Sequence, residues 1–315
     1  MSAMCDATTN NVAPMSVFER FLTVWVFLCI VAGIALGQLL PGFFQTIGRM
    51  EVAQVNLPVG LLIWVMIIPM LVKVDFGALH EVRQHVKGIG VTLFVNWLVK
   101  PFSMALIAGL FFRYLFATWI SAADADQYIA GCIILAAAPC TAMVFVWSYL
   151  TDGDPAYTLV QVSVNDLIML VLFAPIVRFL VNGASSLHVP FEVLLWAVGI
   201  FIVVPLAAGT ALRVWLVRTH GRDWFEKQLL PRFAPVSMTA LLATLIFIVA
   251  FQADNILGKP VHVLLIAIPI LLQVYFNSSL AYGLMRLFRV RHSVAAPGAL
   301  IGASNFFELA VATAI

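Results

Sequence analysis

Long apolar stretches, separated by short polar or Gly/Pro-containing connections, run along almost the whole chain. A helix that crosses the hydrocarbon core of a bilayer needs about 20 predominantly apolar residues, and nine stretches have about this length or more. We therefore predict an all-α polytopic membrane protein. The nine predicted spans are 21–40, 55–72, 89–112, 128–150, 156–180, 191–216, 235–252, 261–287 and 296–315.

Basic residues are distributed unequally between the two sides that these spans define. With the connections assigned alternately, the side of the N-terminus holds 12 of the 17 Lys and Arg residues, the other side holds 4, and Lys100 lies inside the third span. Because cytoplasmic loops carry the excess of Lys and Arg, we expect a cytoplasmic N-terminus and a location in the cell membrane. Residues 1–18 lack a signal-peptide pattern and are interpreted as a retained cytosolic tail.

The composition argues against soluble functions. Of the 315 residues, 63% are hydrophobic and 10% are charged, with a formal net charge of +2, whereas soluble domains contain about 25% charged residues. A soluble enzyme and a nucleic-acid partner are therefore not expected. The sequence contains no phosphate-binding loop, no serine-hydrolase elbow and no HExxH motif, so we predict no catalytic residue and no cofactor.

Two short segments in distant spans can be aligned with each other. The segment LAAAPC at 135–140 in the fourth span matches LIGASN at 300–305 in the ninth span, at an offset of 165 residues. If these spans correspond, each repeat has five helices, and an odd number places the repeats in opposite membrane orientations, as in many secondary transporters. We expect one repeat at 19–182 and the other at 183–315. The second repeat lacks its last helix in this sequence, and we expect this tenth helix to follow Ile315.

Both aligned segments are expected to interrupt their helices. Pro139 cannot donate a backbone hydrogen bond and clashes with the preceding turn, so a break is predicted beside Cys140. The glycine-containing segment 298–305 is predicted to break in the same way. Paired interrupted helices indicate a transport site near the membrane midplane, because freed amides and half-helix ends face a ligand there. The predicted substrate site consists of Cys140, Ser304, Asn305 and Glu308.

Other polar residues at membrane depth are costly and suggest a supporting role around this site. The candidates are Asn96, Lys100, Asn165, Asp166 and Asn277. Two alternatives stay open for Lys100: a structural ion pair with Asp166, or extension of its side chain to the membrane interface. Glu308 suits proton coupling because it is protonatable, and its structural alternative is a neutral acid hydrogen-bonded between helices.

The remaining cysteines and the small-residue patterns have simpler interpretations. Cys5, Cys29 and Cys132 are predicted to be tail or packing residues, since cysteine is a common small buried residue. The patterns GIALG at 33–37 and GALIG at 298–302 are typical of close helix packing.

Five segments give the chain a family resemblance over nearly its whole length. They are LFVNWLVKPFSM at 93–104, APCTAMVFVW at 138–147, GDP at 153–155, VNDL at 164–167 and GASNFFE at 302–308. The chain resembles the arsenite efflux permeases of the arsenical-resistance family, in the bile/arsenite/riboflavin transporter superfamily. The resemblance implies a ten-helix fold of two inverted repeats, in which helices 4 and 9 cross in a core domain of spans 3–5 and 8–9, beside a panel domain of spans 1, 2, 6 and 7. It also implies that Cys140 and Glu308 take part in transport.

The function implied by this resemblance is export of trivalent arsenic from the cytoplasm, with antimonite as a second substrate, which confers arsenic resistance. Trivalent arsenic is thiophilic, so Cys140 would be its transient sulfur ligand. We expect antiport with protons carried by Glu308. A sodium-coupled importer of organic anions with the same fold is the alternative, and a membrane sensor that binds arsenite without moving it is another. The coupling ion, an ATPase partner and the oligomeric state stay open.

Overall fold

The computed structural model of the chain describes residues 21–48, 50–52, 55–72, 85–140, 144–187, 189–307 and 310. Within these residues the protein is almost entirely helical. The exception is a two-residue antiparallel pair of strands, β1 (Glu51–Val52) and β2 (Val55–Asn56). The helices are α1 (Leu22–Leu39), α2 (Pro41–Gly48), α3 (Leu57–Leu71), α4 (Val86–Leu115), α5 (Ala122–Ala136), α6 (Val144–Leu150), α7 (Pro155–Ala184), α8 (Phe191–His220), α9 (Arg222–Phe251), α10 (Ala253–Gly258), α11 (Pro260–Leu287) and α12 (His292–Ala303).

Several helices are suited to crossing a membrane. Among the described residues, five helices (α4, α7, α8, α9 and α11) are long and apolar enough, or up to six if α1 and α2, which meet at an angle of 97°, form one span. The chain is therefore a multi-pass membrane protein. Helix α9 begins at Arg222, whereas the seventh span was predicted to start at 235. The prediction used hydropathy, which leaves out charged residues at the start of a helix although they are helical. Residues 311–315 of the ninth predicted span lie outside the described residues.

Three of the long helices accommodate a proline by means of a widened turn. Five-residue π-helical turns cover Val95–Val99, Gly199–Val203 and Phe225–Leu229. In each case a proline follows two residues later, at positions 101, 205 and 231. A proline ring inside a helix clashes with the carbonyl group four residues earlier, and the wide turn contains that carbonyl. The helices therefore continue past these prolines.

The helices pack in two groups. In the first group α9 contacts α1, α3 and α8. In the second group α4 contacts α5, α7, α11 and α12, and α6 contacts α7 and α12. Helix α7 also contacts α8, which joins the two groups. The glycines of the 33–37 pattern bring α1 close to α9, since a Cβ atom at Gly37 would lie 2.5 Å from the backbone oxygen of Ala250. In the 298–302 pattern, a Cβ atom at Gly298 would lie 2.4 Å from Met285 Cε on α11. Both patterns thus serve close helix packing, as predicted.

Ionic contacts lie at the ends of helices. Lys259, directly before α11, contacts Asp124 at the start of α5, with Nζ 2.9 Å from Oδ2. Hydrogen bonds from Lys259 and from Ser121 hold the pKa of the Asp124 carboxyl below its usual value. The same contact raises the pKa of Lys259. Arg113, at the end of α4, similarly pairs with Asp126 at 2.9 Å.

Candidate functional site

The first interruption lies between α5 and α6. Helix α5 ends at Ala136, residues 139 and 140 are not helical, and α6 begins at Val144. The break predicted at Pro139 and Cys140 is therefore confirmed. Cys140 is partly exposed, whereas Cys29 and Cys132 are buried as packing residues. Cys5 lies outside the described residues.

The second interruption follows α12 and begins later than predicted. The prediction for 298–305 was wrong for the glycines, because Gly298 and Gly302 both lie within the helix. The chain leaves the helical conformation at Ser304, which has φ −72° and ψ 143°. The glycines instead provide room for neighbouring helices, since the hypothetical Cβ at Gly302 would lie 3.3 Å from Ala281 on α11. The break itself consists of Ser304, Asn305 and Phe306.

The two interruptions meet. The backbone amide of Phe306 donates a hydrogen bond to the carbonyl oxygen of Ala138 at 3.1 Å. The Ser304 hydroxyl donates to the carbonyl oxygen of Ile301 at 2.8 Å and lies 3.4 Å from that of Cys140. Cys140 and Ser304, 164 residues apart in the sequence, therefore stand side by side where the two broken helices contact each other.

Lys100 reaches this contact from α4. It is fully buried, and its ammonium group donates a hydrogen bond of 2.7 Å to the carbonyl oxygen of Ser304. Both alternatives considered for Lys100 were wrong: the side chain does not extend to the interface, and no ion pair with Asp166 forms. The ammonium is held instead by a half-helix end.

A second polar group lies between α4 and α7. The wide turn of α4 presents Asn96 and Trp97 towards α7, and both donate to Asn165 Oδ1, at 3.3 Å and 3.1 Å respectively. All three side chains are buried. Asn96 and Asn165 are therefore brought together, and the indole of Trp97 is a participant that the sequence analysis missed. An indole N–H needs a partner when buried, and this was the available signal.

Several buried polar atoms have no hydrogen-bond partner among the described residues. They belong to α4, α7, α11 and the break after α12. Gln161 and Gln273 were not among the predicted site residues, although each is a fully buried amide within a span. The atoms are Asn96 Oδ1, Gln161 Oε1 and Nε2, Asn165 Nδ2, Asp166 Oδ2, Gln273 Oε1 and Nε2, Asn277 Oδ1 and Asn305 Oδ1.

The arrangement brings a thiol, a hydroxyl, an amide and a cation to one place in the membrane. Lys100 and Cys140 each contact Ser304, and Asn305 follows Ser304 with an unpartnered oxygen. Glu308, predicted as the fourth member, lies outside the described residues. Among the described residues no group of three His, Cys, Asp or Glu side chains is placed to hold a metal ion. The site is suited to transient contacts with a small polar solute.

Two interrupted helices that meet within a multi-pass helical membrane protein define the class of secondary transporters. Residues 60–259 match the Sodium Bile acid symporter family, and the chain belongs to that family. It is 52% identical over 298 residues to the Arsenical-resistance protein Acr3 of Alkaliphilus metalliredigens, covering 95% of this chain and 83% of that protein. It is 43% identical to the Uncharacterized transporter slr0944 of Synechocystis, over 96% of this chain and 81% of that protein.

A third relative is more distant. The Arsenical-resistance protein Acr3 of Corynebacterium glutamicum is 29% identical over 324 residues, which covers 99% of this chain and 84% of that protein. These matches confirm the resemblance that was based on the five sequence segments.

Proposed function

We propose that the protein is a secondary transporter that exports trivalent arsenic from the cytoplasm in exchange for protons and thereby confers arsenic resistance. The observation that carries the proposal is a partly exposed cysteine, Cys140, at the contact between two interrupted helices. Two relatives named as arsenical-resistance proteins, one of them 52% identical, support the substrate. Antimonite, which is chemically similar, is a second substrate in this proposal.

Cys140 is the arsenic ligand in this proposal. Thiolates prefer soft metals and metalloids, and they select them against hard oxyanions. Arsenite at neutral pH is largely the uncharged As(OH)3, whose hydroxyl groups need hydrogen-bond partners. The Ser304 hydroxyl next to Cys140 and the unpartnered Asn305 Oδ1 offer such partners. A single sulfur ligand permits release, whereas three thiolates would hold arsenic too tightly.

Glu308 is the proton carrier in this proposal. It lies two residues after Phe306, the last residue of the second break, in the sequence. A carboxyl group in a membrane span is costly and by default functional. Glu308 would take up a proton from outside and release it inside, alternating with arsenite bound at Cys140.

The architecture that we propose is two inverted five-helix repeats, at residues 19–182 and 183–315. The contact between the breaks after α5 and α12 supports it, because equivalent helices of the two repeats would be interrupted. The two packing groups of helices support a panel of spans 1, 2, 6 and 7 and a core of the others. The excess of basic residues on one side supports a cytoplasmic N-terminus in the cell membrane.

Arsenite accumulation in everted membrane vesicles tests the proposal. Wild type is expected to accumulate arsenite when the vesicle interior is acidified and to lose this activity when a protonophore collapses the gradient. Cys140→Ala should abolish accumulation, whereas Cys132→Ala, which removes a thiol buried away from the break, should not. Glu308→Gln should also remove the dependence on the proton gradient.

Each outcome of this experiment separates the candidates. Wild-type vesicles that fail to accumulate arsenite would contradict the assignment of the substrate. The family name then favours the second candidate, sodium-driven import of organic anions, which predicts sodium-dependent uptake into cells and no effect of Cys140→Ala. Arsenite binding without any change in vesicle content would instead favour a sensor.

A further inference from the structure

The buried ammonium group of Lys100 occupies an unusual position at the end of a broken helix. Its side chain is fully buried, and no carboxylate among the described residues lies within ion-pair distance of it. Its hydrogen-bond acceptor is the carbonyl oxygen of Ser304, at 2.7 Å. A charge at this depth is costly unless something in the site compensates it.

The end of α12 supplies that compensation. The last carbonyl groups of a helix have no intrahelical partners, and together they carry a partial negative charge of about half an electron. Helix α12 ends at Ala303, one residue before the carbonyl that Lys100 contacts. In secondary transporters with interrupted helices, unwound carbonyls and half-helix C-terminal ends are the groups that coordinate the coupling cation. The Lys100 ammonium therefore meets the kind of environment that a coupling sodium ion would occupy.

Hydrogen bonds fix the backbone from which the Lys100 side chain extends. Lys100 directly follows the wide turn of Val95–Val99, and its backbone amide donates a hydrogen bond to the carbonyl oxygen of Val95. The Ser103 hydroxyl donates to the carbonyl of Lys100 at 3.0 Å. A covalently tethered ammonium cannot dissociate from the site, in contrast to a sodium ion.

We propose that Lys100 is a built-in cation that replaces a coupling sodium ion at the C-terminal end of α12, so that transport by this chain is independent of sodium. The statement about transport rests on the proposed function, whereas the statement about the cation position concerns the folded protein alone. The sodium dependence in the family name would then not extend to this member.

Thermal unfolding of the purified protein in sodium chloride and in equimolar choline chloride tests the cation position without any substrate. A cation that binds only the folded state stabilises it according to its affinity. We expect sodium to raise the apparent Tm of Lys100→Met, which vacates the position, and to leave wild type and Lys100→Arg unchanged. Lys227→Met, which removes an exposed lysine on α9, is the matched control and should be insensitive to sodium. Lys100→Gln replaces Lys100→Met if the latter does not purify.

Arsenite transport in the same two salts tests the consequence. Transport by wild type and by Lys100→Arg, whatever the rate of each, is expected to be independent of the salt. Lys100→Met is expected to be about 10-fold or more slower in choline, the factor that corresponds to one charge-assisted hydrogen bond, and to recover in sodium. Sodium-dependent transport or sodium-dependent stability of wild type would overturn the proposal. So would a folded Lys100→Met protein that sodium does not stabilise or that transports fully in choline.

The two proposals fail separately. If wild type accumulates no arsenite in either salt, the proposed function fails, while the thermal comparison still decides whether Lys100 stands in a cation position. If arsenite is transported but only with sodium, the function stands and the inference about Lys100 fails.

Discussion

Substitution of Gly298 by alanine tests how closely α12 is packed and whether that packing supports the site. A Cβ atom at Gly298 would lie 2.4 Å from Met285 Cε, 2.6 Å from the Tyr157 hydroxyl and 3.0 Å from Thr92 Oγ1, whereas unstrained carbon contacts lie at about 3.5–4.0 Å. Gly302→Ala is the matched control on the same helix, since its nearest neighbours would lie at 3.3 and 3.4 Å. Both substitutions gain the same helix propensity, about 1 kcal/mol. Their difference therefore reports packing.

The expected cost of Gly298→Ala has two parts. Overpacking of a tight core costs about 1–3 kcal/mol. The new methyl group also displaces the Tyr157 hydroxyl from its 2.8 Å hydrogen bond with Thr92 Oγ1, which is worth about 1 kcal/mol. We expect Gly298→Ala to be about 2–3 kcal/mol less stable than Gly302→Ala. At about 2 °C per kcal/mol for a chain of this size, this lowers the apparent Tm by about 4–6 °C.

Thermal unfolding of the detergent-solubilised variants measures this difference, and everted-vesicle transport measures its effect on the site. Tyr157→Phe in the Gly298→Ala background should restore part of the lost stability, because it removes the atom that the methyl group displaces. Since α12 leads directly into the Ser304 break, Gly298→Ala should also slow transport. Equal stability of the two alanine variants, or no rescue by Tyr157→Phe, would refute the packing argument.

Three further predictions concern stability. Gly37→Val should lower the apparent Tm by several degrees, because its Cβ overlaps the backbone of α9, whereas Gly42→Val, with nothing within 4 Å, should not; equal effects would contradict this. The depressed pKa of Asp124 means that its contact with Lys259 stabilises the fold above the unfolded pKa of about 4 and is lost as pH falls below it; Asp124→Asn should therefore show a smaller decrease in Tm on acidification than wild type. Asn165→Leu leaves buried donors on α4 without an acceptor and should cost about 1–3 kcal/mol, while Asn165→Asp should cost less; Tm values in the reverse order would count against the hydrogen-bond assignment.

Much of the candidate site followed from local chemistry. Pro139 predicted the first break because a proline lacks the donor that a helix needs at that position, and the structure confirms the break. Other prolines did not interrupt their helices, however. Pro101 follows a widened turn of α4 that no single-residue rule predicts, so a proline alone does not distinguish a break from a bulge.

The partners of the buried polar residues required the tertiary structure. Lys100 and Asp166 were the two described chargeable residues predicted at membrane depth, and pairing them satisfied charge balance. The structure instead directs Lys100 to the Ser304 carbonyl, 204 residues away in the sequence. The sequence does not mark this acceptor, because every residue has a carbonyl group and only the end of a helix leaves it free.

The sequence by itself determined the membrane solvent, the approximate positions of the five long apolar helices, the first break and the close packing at the glycine patterns. Each of these depends on the polarity, size or backbone chemistry of residues within one helix or turn. Only the tertiary structure decided that the two breaks meet through Phe306 and Ala138, that the second break begins at Ser304, and which acceptor holds the Lys100 ammonium. These depend on how separate helices are placed against one another, and helix placement arises from packing along their whole length.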